Sequence, residues 1–157
     1  MSDGIVTLIR NSTLSENDDL SISQAECFDI MVGNKFVGVI SYRYHGDLHY
    51  IDYGGNINYR IIEKERGHGY AKRALKIMLN ILKYNTKFDE PLYVASTTYN
   101  DDYLNVATEC GGKLIYEGLV PDNLISPKID QEMKNIKLYE FVIEKERKKE
   151  NDRHKVN

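Results

Sequence analysis

The chain has 157 residues, of which 41% are hydrophobic and 29% charged, with a formal net charge of −3. These are the values of one globular domain able to close one sizeable core, far from disordered or membrane compositions. No apolar run of about 18 residues occurs that could form a spanning helix, and the opening MSDGIVTLIRNST lacks the order of a basic stretch leading into a long apolar one that marks a secretory signal.

In chain order, IVTLI (5–9) is β-rich and a polar stretch from Asn11 to Ser23 follows. AECFDIMV (25–32) and KFVGVISYRY (35–44) flank Gly33-Asn34, a good hairpin signal. A turn at His45-Gly46-Asp47 and a return through Gly54-Gly55 lead to NINYRII (56–62), which completes a four-stranded meander. At Gly69 the period changes. Ala71, Ala74, Leu75, Met78, Leu79 and Leu82 fall on one helical face, and Lys72, Arg73, Lys76, Asn80 and Lys83 take the other. PLYVAST (91–97) reads as a buried strand, reached by a crossover long enough to lie parallel to 56–62. Asn100 is a helix N-cap followed by acids, and the helix DDYLNVATEC stops at Gly111-Gly112. GKLIYEGLV and IKLYEFVI are two further strands, joined by a polar excursion of the length of a functional loop. Residues 1–143 thus form one domain. The tail 144–157 holds six Lys/Arg against four Asp/Glu and little to bury, so the rest of the chain carries −5. An acidic body suits a cationic small-molecule or peptide partner better than a nucleic acid, although ordinary solubilising charge explains it as well. Cys27 and Cys110 are too few for a disulfide framework and fit no metal-ligand spacing. The expectation is a cytoplasmic protein with reduced thiols, no metal, and neither nucleic acid nor membrane as partner.

The chemistry is concentrated in NYRIIEKERGHGYAKRAL (58–75), where a strand, a Gly-rich turn and an amphipathic helix follow one another closely. Gly67 and Gly69 let backbone N–H groups turn inward without Cβ obstruction, and at a helix N-terminus such donors face an anion. Arg66 and His68 bracket the turn and Lys72 lies just beyond, which is what a pyrophosphate needs. A plain strand-to-helix turn is the bland alternative. A dinucleotide fingerprint would want glycine where Lys72 stands, and the turn after the first strand rather than the fourth. A Walker loop would want Gly-Lys-Ser/Thr, which is absent.

Lys64-Glu65-Arg66-Gly67-His68-Gly69 resembles the acetyl-CoA motif Q/R-x-x-G-x-G/A of the GNAT superfamily of N-acetyltransferases. INYRIIEKERGHGYAKRAL is similar to its bacterial variant I-G-Y-x-I-x-x-x-x-R-G-x-G-Y-A. PLYVAS, Asn100 and Gly111-Gly112 match the second family signature, and the resemblance covers residues 25 to 143. It is nearest to bacterial predicted acetyltransferases of unassigned acceptor. It implies an α/β fold: a mixed, mostly antiparallel sheet of about seven strands, splayed in the middle, with a long helix after the fourth strand. It further implies acetyl transfer from acetyl-CoA to a primary amine, small molecule or peptide, by direct attack in a ternary complex. The backbone of Ile61 and its neighbour Ile62 would pair with pantetheine. Arg66, Gly67, His68, Gly69, Tyr70 and Ala71 would hold the pyrophosphate, and Asn100 would reach the pantetheine or phosphate.

Three departures bear on mechanism. Lys64 stands at the Gln/Arg position. Ala107 stands where many relatives carry a Tyr that protonates the leaving thiolate; Tyr103, one turn earlier, is the substitute, with core packing as its alternative role. Asn56 stands where relatives often carry a Glu as base, and it cannot take a proton. His45, His49 and Glu63 are nearby, but no base is assigned. Cys110 reads as a small buried apolar residue. The short 11–23 region leaves room for at most one short helix where relatives place two. The resulting openness suits a peptide-like acceptor, or a pocket completed by a second subunit in a homodimer. A non-catalytic acyl-CoA-binding module is the alternative reading.

Overall fold

The computed structural model describes residues 1–12, 25–43, 56–84, 92–96, 101–119 and 137–143. The expected His45-Gly46-Asp47 turn, His49, Gly54-Gly55, Asn100, the polar loop 120–136 and the charged tail lie outside the described residues. Strands β1 (Val6–Arg10), β2 (Ala25–Val32), β3 (Lys35–Arg43) and β4 (Ile57–Ile61) form an antiparallel sheet in that order. Val32 pairs with Lys35 across Gly33-Asn34, the hairpin that the two β-rich runs predict. Period-2 alternation puts Ile57, Tyr59 and Ile61 of β4 inside and leaves Asn58 and Arg60 exposed.

Helix α1 (Tyr70–Lys83) covers this sheet. Ala74, Leu75, Ile77, Met78 and Leu82 are buried along it, with Ala71, Leu79 and Ile81 packed at their margin. The packed stripe is wider than the sequence reading, because Ile77 is buried and Ile81 packs at its margin. Burying a large aliphatic side chain contributes about 1.5–3 kcal/mol, against helix-propensity differences of about 0.7 kcal/mol or less, so sheet contact fixes α1. The N-terminus is tied to the same helix. Asp3 Oδ1 accepts the N–H groups of Ile5 and Val6 at 2.9 and 2.8 Å, and its Oδ2 accepts Arg73 Nη1 at 2.9 Å. Burial opposes the charge on Asp3, but these backbone N–H groups and the Arg73 guanidinium outweigh it and hold the carboxyl below its ordinary range.

Strand β5 (Leu92–Ser96), helix α2 (Asp101–Glu109), β6 (Lys113–Leu119) and β7 (Lys137–Ile143) complete the described elements. The last strand inserts between its predecessors, giving an antiparallel sheet of order β5-β7-β6. Helix α2 closes at the glycine pair, where Gly111 N–H and Gly112 N–H return to the carbonyls of Thr108 and Ala107 at 3.0 and 2.8 Å.

The sequence reading has one mixed sheet in which β5 runs parallel to β4. Among the described residues no ladder joins β4 to β5, so the splay expected there divides the strands into two antiparallel sheets, with β4 the edge of the first. Asn56 bridges them by hydrogen bonds. Asn56 N–H donates to the Tyr93 carbonyl at 2.8 Å, Asn56 Oδ1 accepts the Tyr93 N–H, and the Asn56 carbonyl accepts Arg43 N–H at 2.8 Å. Asn56 is one of two buried polar or charged residues among those described, only 5% exposed. Asn56→Ala deletes the acceptor and strands the Tyr93 N–H in the interior. Expected is a loss of about 1–3 kcal/mol in denaturant unfolding; an unchanged midpoint would show that the junction does not depend on this side chain.

Candidate functional site

The segment between β4 and α1 changes direction within eight residues. Ile62 is extended, Glu63–Glu65 make one 3-10 turn, and Arg66 is extended again. Gly67 and Gly69 then take left-handed conformations with φ of 88° and 76°, which a side chain would strain by about 1–2 kcal/mol. A Cβ at either glycine would meet nothing within 4 Å, so the space beside them is open. Gly69 is the N-cap of α1 and supplies no side-chain acceptor, and the first turn holds no acidic residue. The first α-helical bond runs from Arg73 N–H to the Gly69 carbonyl at 3.2 Å. The N–H groups of Tyr70, Ala71 and Lys72 therefore have no partner within the helix, and the dipole adds positive potential at the same point.

Three cations around this turn are held in ion pairs. Lys35 Nζ lies 2.9 Å from Glu65 Oε2, Lys72 Nζ 3.3 Å from Glu109 Oε2, and Arg73 Nη1 2.9 Å from Asp3 Oδ2. The hydrogen bond from Lys35 holds the Glu65 carboxyl below its usual range against burial, and Glu65 raises the Lys35 ammonium in return. Arg66 Nε donates to the Ile61 carbonyl at 3.0 Å, folding its guanidinium back over the end of β4.

A cleft of about 570 Å³ opens beside β4, between this turn and α2. Ile62 N–H bonds the Val37 carbonyl at 2.9 Å and Arg43 N–H bonds that of Asn56. By antiparallel alternation the peptide groups of Ile61 point the other way, to the open edge of β4. Of the residues singled out in the sequence, Ile61, Arg66, Gly67, Gly69, Tyr70 and Ala71 line this one cleft. Ile62 and His68 do not. Ile62 faces β3, and the exposed ring of His68 stacks on Tyr70 with centroids 5.2 Å apart. Asn100 lies outside the described residues. Tyr103 lies on the first turn of α2, where the backbone alone is described, four positions before Ala107, which is fully buried. Cys110 is half-buried, and burial raises its thiol above the ordinary value, which suits an inert packing residue. Burial likewise raises the Cys27 thiol.

Sequence reasoning missed the far wall. Asn105, Val106 and Glu109 of α2 face the glycine turn from more than thirty positions away, and Asn58 and Arg60 complete the floor. The i, i+1, i+4 spacing of Asn105, Val106 and Glu109, set beside the buried Leu104 and Ala107, is the signal that could have marked them.

No family model matches the chain, and no curated protein matches it in sequence. Solved structures do. The ribosomal L7/L12 alpha-N-protein acetyltransferase in complex with coenzyme A superposes with a TM-score of 0.59, 13% identity, and coverage of 79% of this chain and 64% of its own. The spermidine N-acetyltransferase from Vibrio cholerae, in complex with CoA and spermine, gives 0.56, 12%, 77% and 66%. The microcin C7 self-immunity acetyltransferase, in complex with acetyl-CoA and AMP, gives 0.52, 16%, 76% and 61%. The chain has the GNAT acetyltransferase fold. It spans just under two thirds of the length of the first of these neighbours, so at 12–16% identity the likeness concerns the fold. Within the GNAT fold the open end of α1 and the open edge of β4 border one cleft.

Gly69→Val tests the turn. The left-handed strain predicts a stability loss of about 1–2 kcal/mol, while the branched side chain fills the space in front of the free N–H groups. Coenzyme A affinity should fall by at least tenfold in calorimetric titration. Affinity retained at a lower melting temperature would mark Gly69 as a glycine of the turn alone.

Proposed function

We propose that the chain is an acetyl-CoA-dependent N-acetyltransferase acting on a primary amine, in a small molecule or a peptide, by direct attack in a ternary complex. The observation that carries this reading is the uncapped start of α1, reached through two left-handed glycines and opening onto the cleft along the edge of β4. A diphosphate fits there: three N–H groups without a partner in the helix, an adjacent guanidinium and no acid in the first helical turn. The neighbours bound to CoA or acetyl-CoA support the choice of carrier, and those named for a protein N-terminus and for spermidine support an amine as acceptor.

In this reading the N–H groups of Tyr70–Lys72, the turn from Arg66 to Gly69 and the Arg66 side chain hold the pyrophosphate. The Ile61 peptide unit pairs with pantetheine; its carbonyl already accepts Arg66 Nε, and its second lone pair remains for a pantetheine N–H. An unprotonated amine attacks the thioester carbonyl carbon, the C–S bond breaks, the amine proton goes to solvent or a base, and the thiolate takes up a proton as it leaves. A backbone N–H near Ile61 is the proposed oxyanion donor, a contribution of about 10²–10³ in rate. Tyr103 is the proposed donor to the thiolate.

The second reading, an acyl-CoA-binding module without catalysis, is favoured by two observations. Ala107 is a fully buried small residue where an acid would stand, and Asn56 is committed to Tyr93 rather than to a substrate. Thiol release from acetyl-CoA over a panel of amines and peptides separates the readings.

Coenzyme A at a hundredfold excess over its Kd should stabilise the chain by about 2.7 kcal/mol, a melting shift of about 5–10 °C. A flat thermal profile at millimolar CoA would remove both readings. Tyr103→Phe deletes only a hydroxyl, so kcat should fall about 10²-fold or more with KM for acetyl-CoA and the melting temperature nearly unchanged. Turnover at the wild-type rate would assign Tyr103 to packing.

A further inference from the structure

Lys72 and Glu109 stand on opposite walls of the cleft. Lys72 belongs to the first turn of α1, and Glu109 is the last residue of α2. Their side chains meet at 3.3 Å while remaining 38% and 52% exposed. The two helix ends are also seated directly on one another, because the Cys110 thiol reaches the Lys72 carbonyl at 3.8 Å.

The position of Glu109 on its helix is unfavourable for a carboxylate. A carboxylate at a helix C-terminus faces the negative end of the dipole, and α2 has no basic residue in its last turn to offset it. It also lines the same cleft as the free N–H groups of α1. What compensates its charge is Lys72, one of the cations nearest those N–H groups. The carboxylate therefore occupies, toward Lys72, the role of an anionic ligand group.

We propose that Glu109 is a built-in competitor for the phosphates of the acyl carrier: it holds Lys72 across the cleft in the free chain, and a bound phosphate takes Lys72 from it. The inference rests on the coenzyme A reading above. An exposed ion pair is weak enough to exchange for a multiply charged phosphate at little cost. The carboxylate left behind repels the ligand, which lowers affinity for substrate and product alike. Glu109 is thus a positioning residue that acts through Lys72 and favours release.

Glu109→Gln keeps the size of the side chain and removes the charge. In calorimetric titration with coenzyme A the variant should bind about two- to fivefold more tightly than wild type, and the salt dependence of Kd should steepen as Lys72 becomes available to phosphate. Lys72→Met should weaken binding, and adding Glu109→Gln to Lys72→Met should give a smaller gain than it gives alone. Unchanged or weaker binding by Glu109→Gln overturns the proposal, as does an equal gain in both backgrounds, which would make Glu109 a general repulsion independent of Lys72. Failure of the wild-type chain to bind coenzyme A overturns this inference and the functional reading together. Wild-type binding with no gain in Glu109→Gln overturns this inference alone.

Discussion

Asn56 bridges the two antiparallel sheets at the start of β4, and among the described residues no ladder joins β4 to β5. Had hydrogen bonding continued from Asn56 into a full ladder with β5, the outward peptide groups of β4 would be consumed and the edge would be closed to any ligand. An edge strand with unpaired N–H and C=O groups is ordinarily a liability for aggregation. In this chain the exposed edge lies against a cleft bounded by α2 and the glycine turn, which shields it from another sheet while leaving it reachable by an extended small molecule. Asn56 thus bridges the two sheets where no ladder joins them, beside a core shared from β1 to β7.

The electrostatics of the cleft follow from the same arrangement. Of the cationic side chains around the turn, Lys35, Lys72 and Arg73 are engaged by Glu65, Glu109 and Asp3, and Arg66 is folded onto Ile61. A positively charged pocket without a ligand would suffer self-repulsion, and these carboxylates relieve it. The backbone N–H groups at the start of α1 are the exception, because an N–H group has no flexible alternative to its ligand. Fixed donors therefore set where an anion sits, and paired side chains set how tightly it is held.

The elements close to one another in sequence were legible. The hairpin at Gly33-Asn34, the amphipathic face of α1 and the glycine turn each follow from a local rule: loop length, a 3.6-residue period, and the need for left-handed backbone before a helix. The relation between distant elements was not. Nothing local to β4 says that no ladder joins it to β5, and nothing local to α2 says that Asn105 and Glu109 face a turn formed nearly forty positions earlier. Asn56 shows the limit most clearly. Read as the place of a missing base, it registers as a chemical deficit; in the fold its amide has a structural task that a carboxylate could perform only by burying a charge.

That task bears on what catalysis would require. A glutamate at position 56 would put an ionised group where the amide now accepts the Tyr93 N–H at 5% exposure, and desolvation would raise its pKa toward a neutral acid. The chain has instead an uncharged junction, and any proton acceptor must come from elsewhere. Direct aminolysis of a thioester tolerates this better than most acyl transfers, since the thiolate is a good leaving group. What an amine most needs is to arrive unprotonated. A peptide α-amine, with a pKa near 7.7–8.0, supplies an appreciable neutral fraction at physiological pH without a base, whereas a lysine-like amine near 10.4 supplies about a thousandth. If the chain is catalytic with Asn56 in place of a carboxylate, its chemistry therefore favours acceptors of low amine pKa, and the same reasoning that removes the base narrows the substrate.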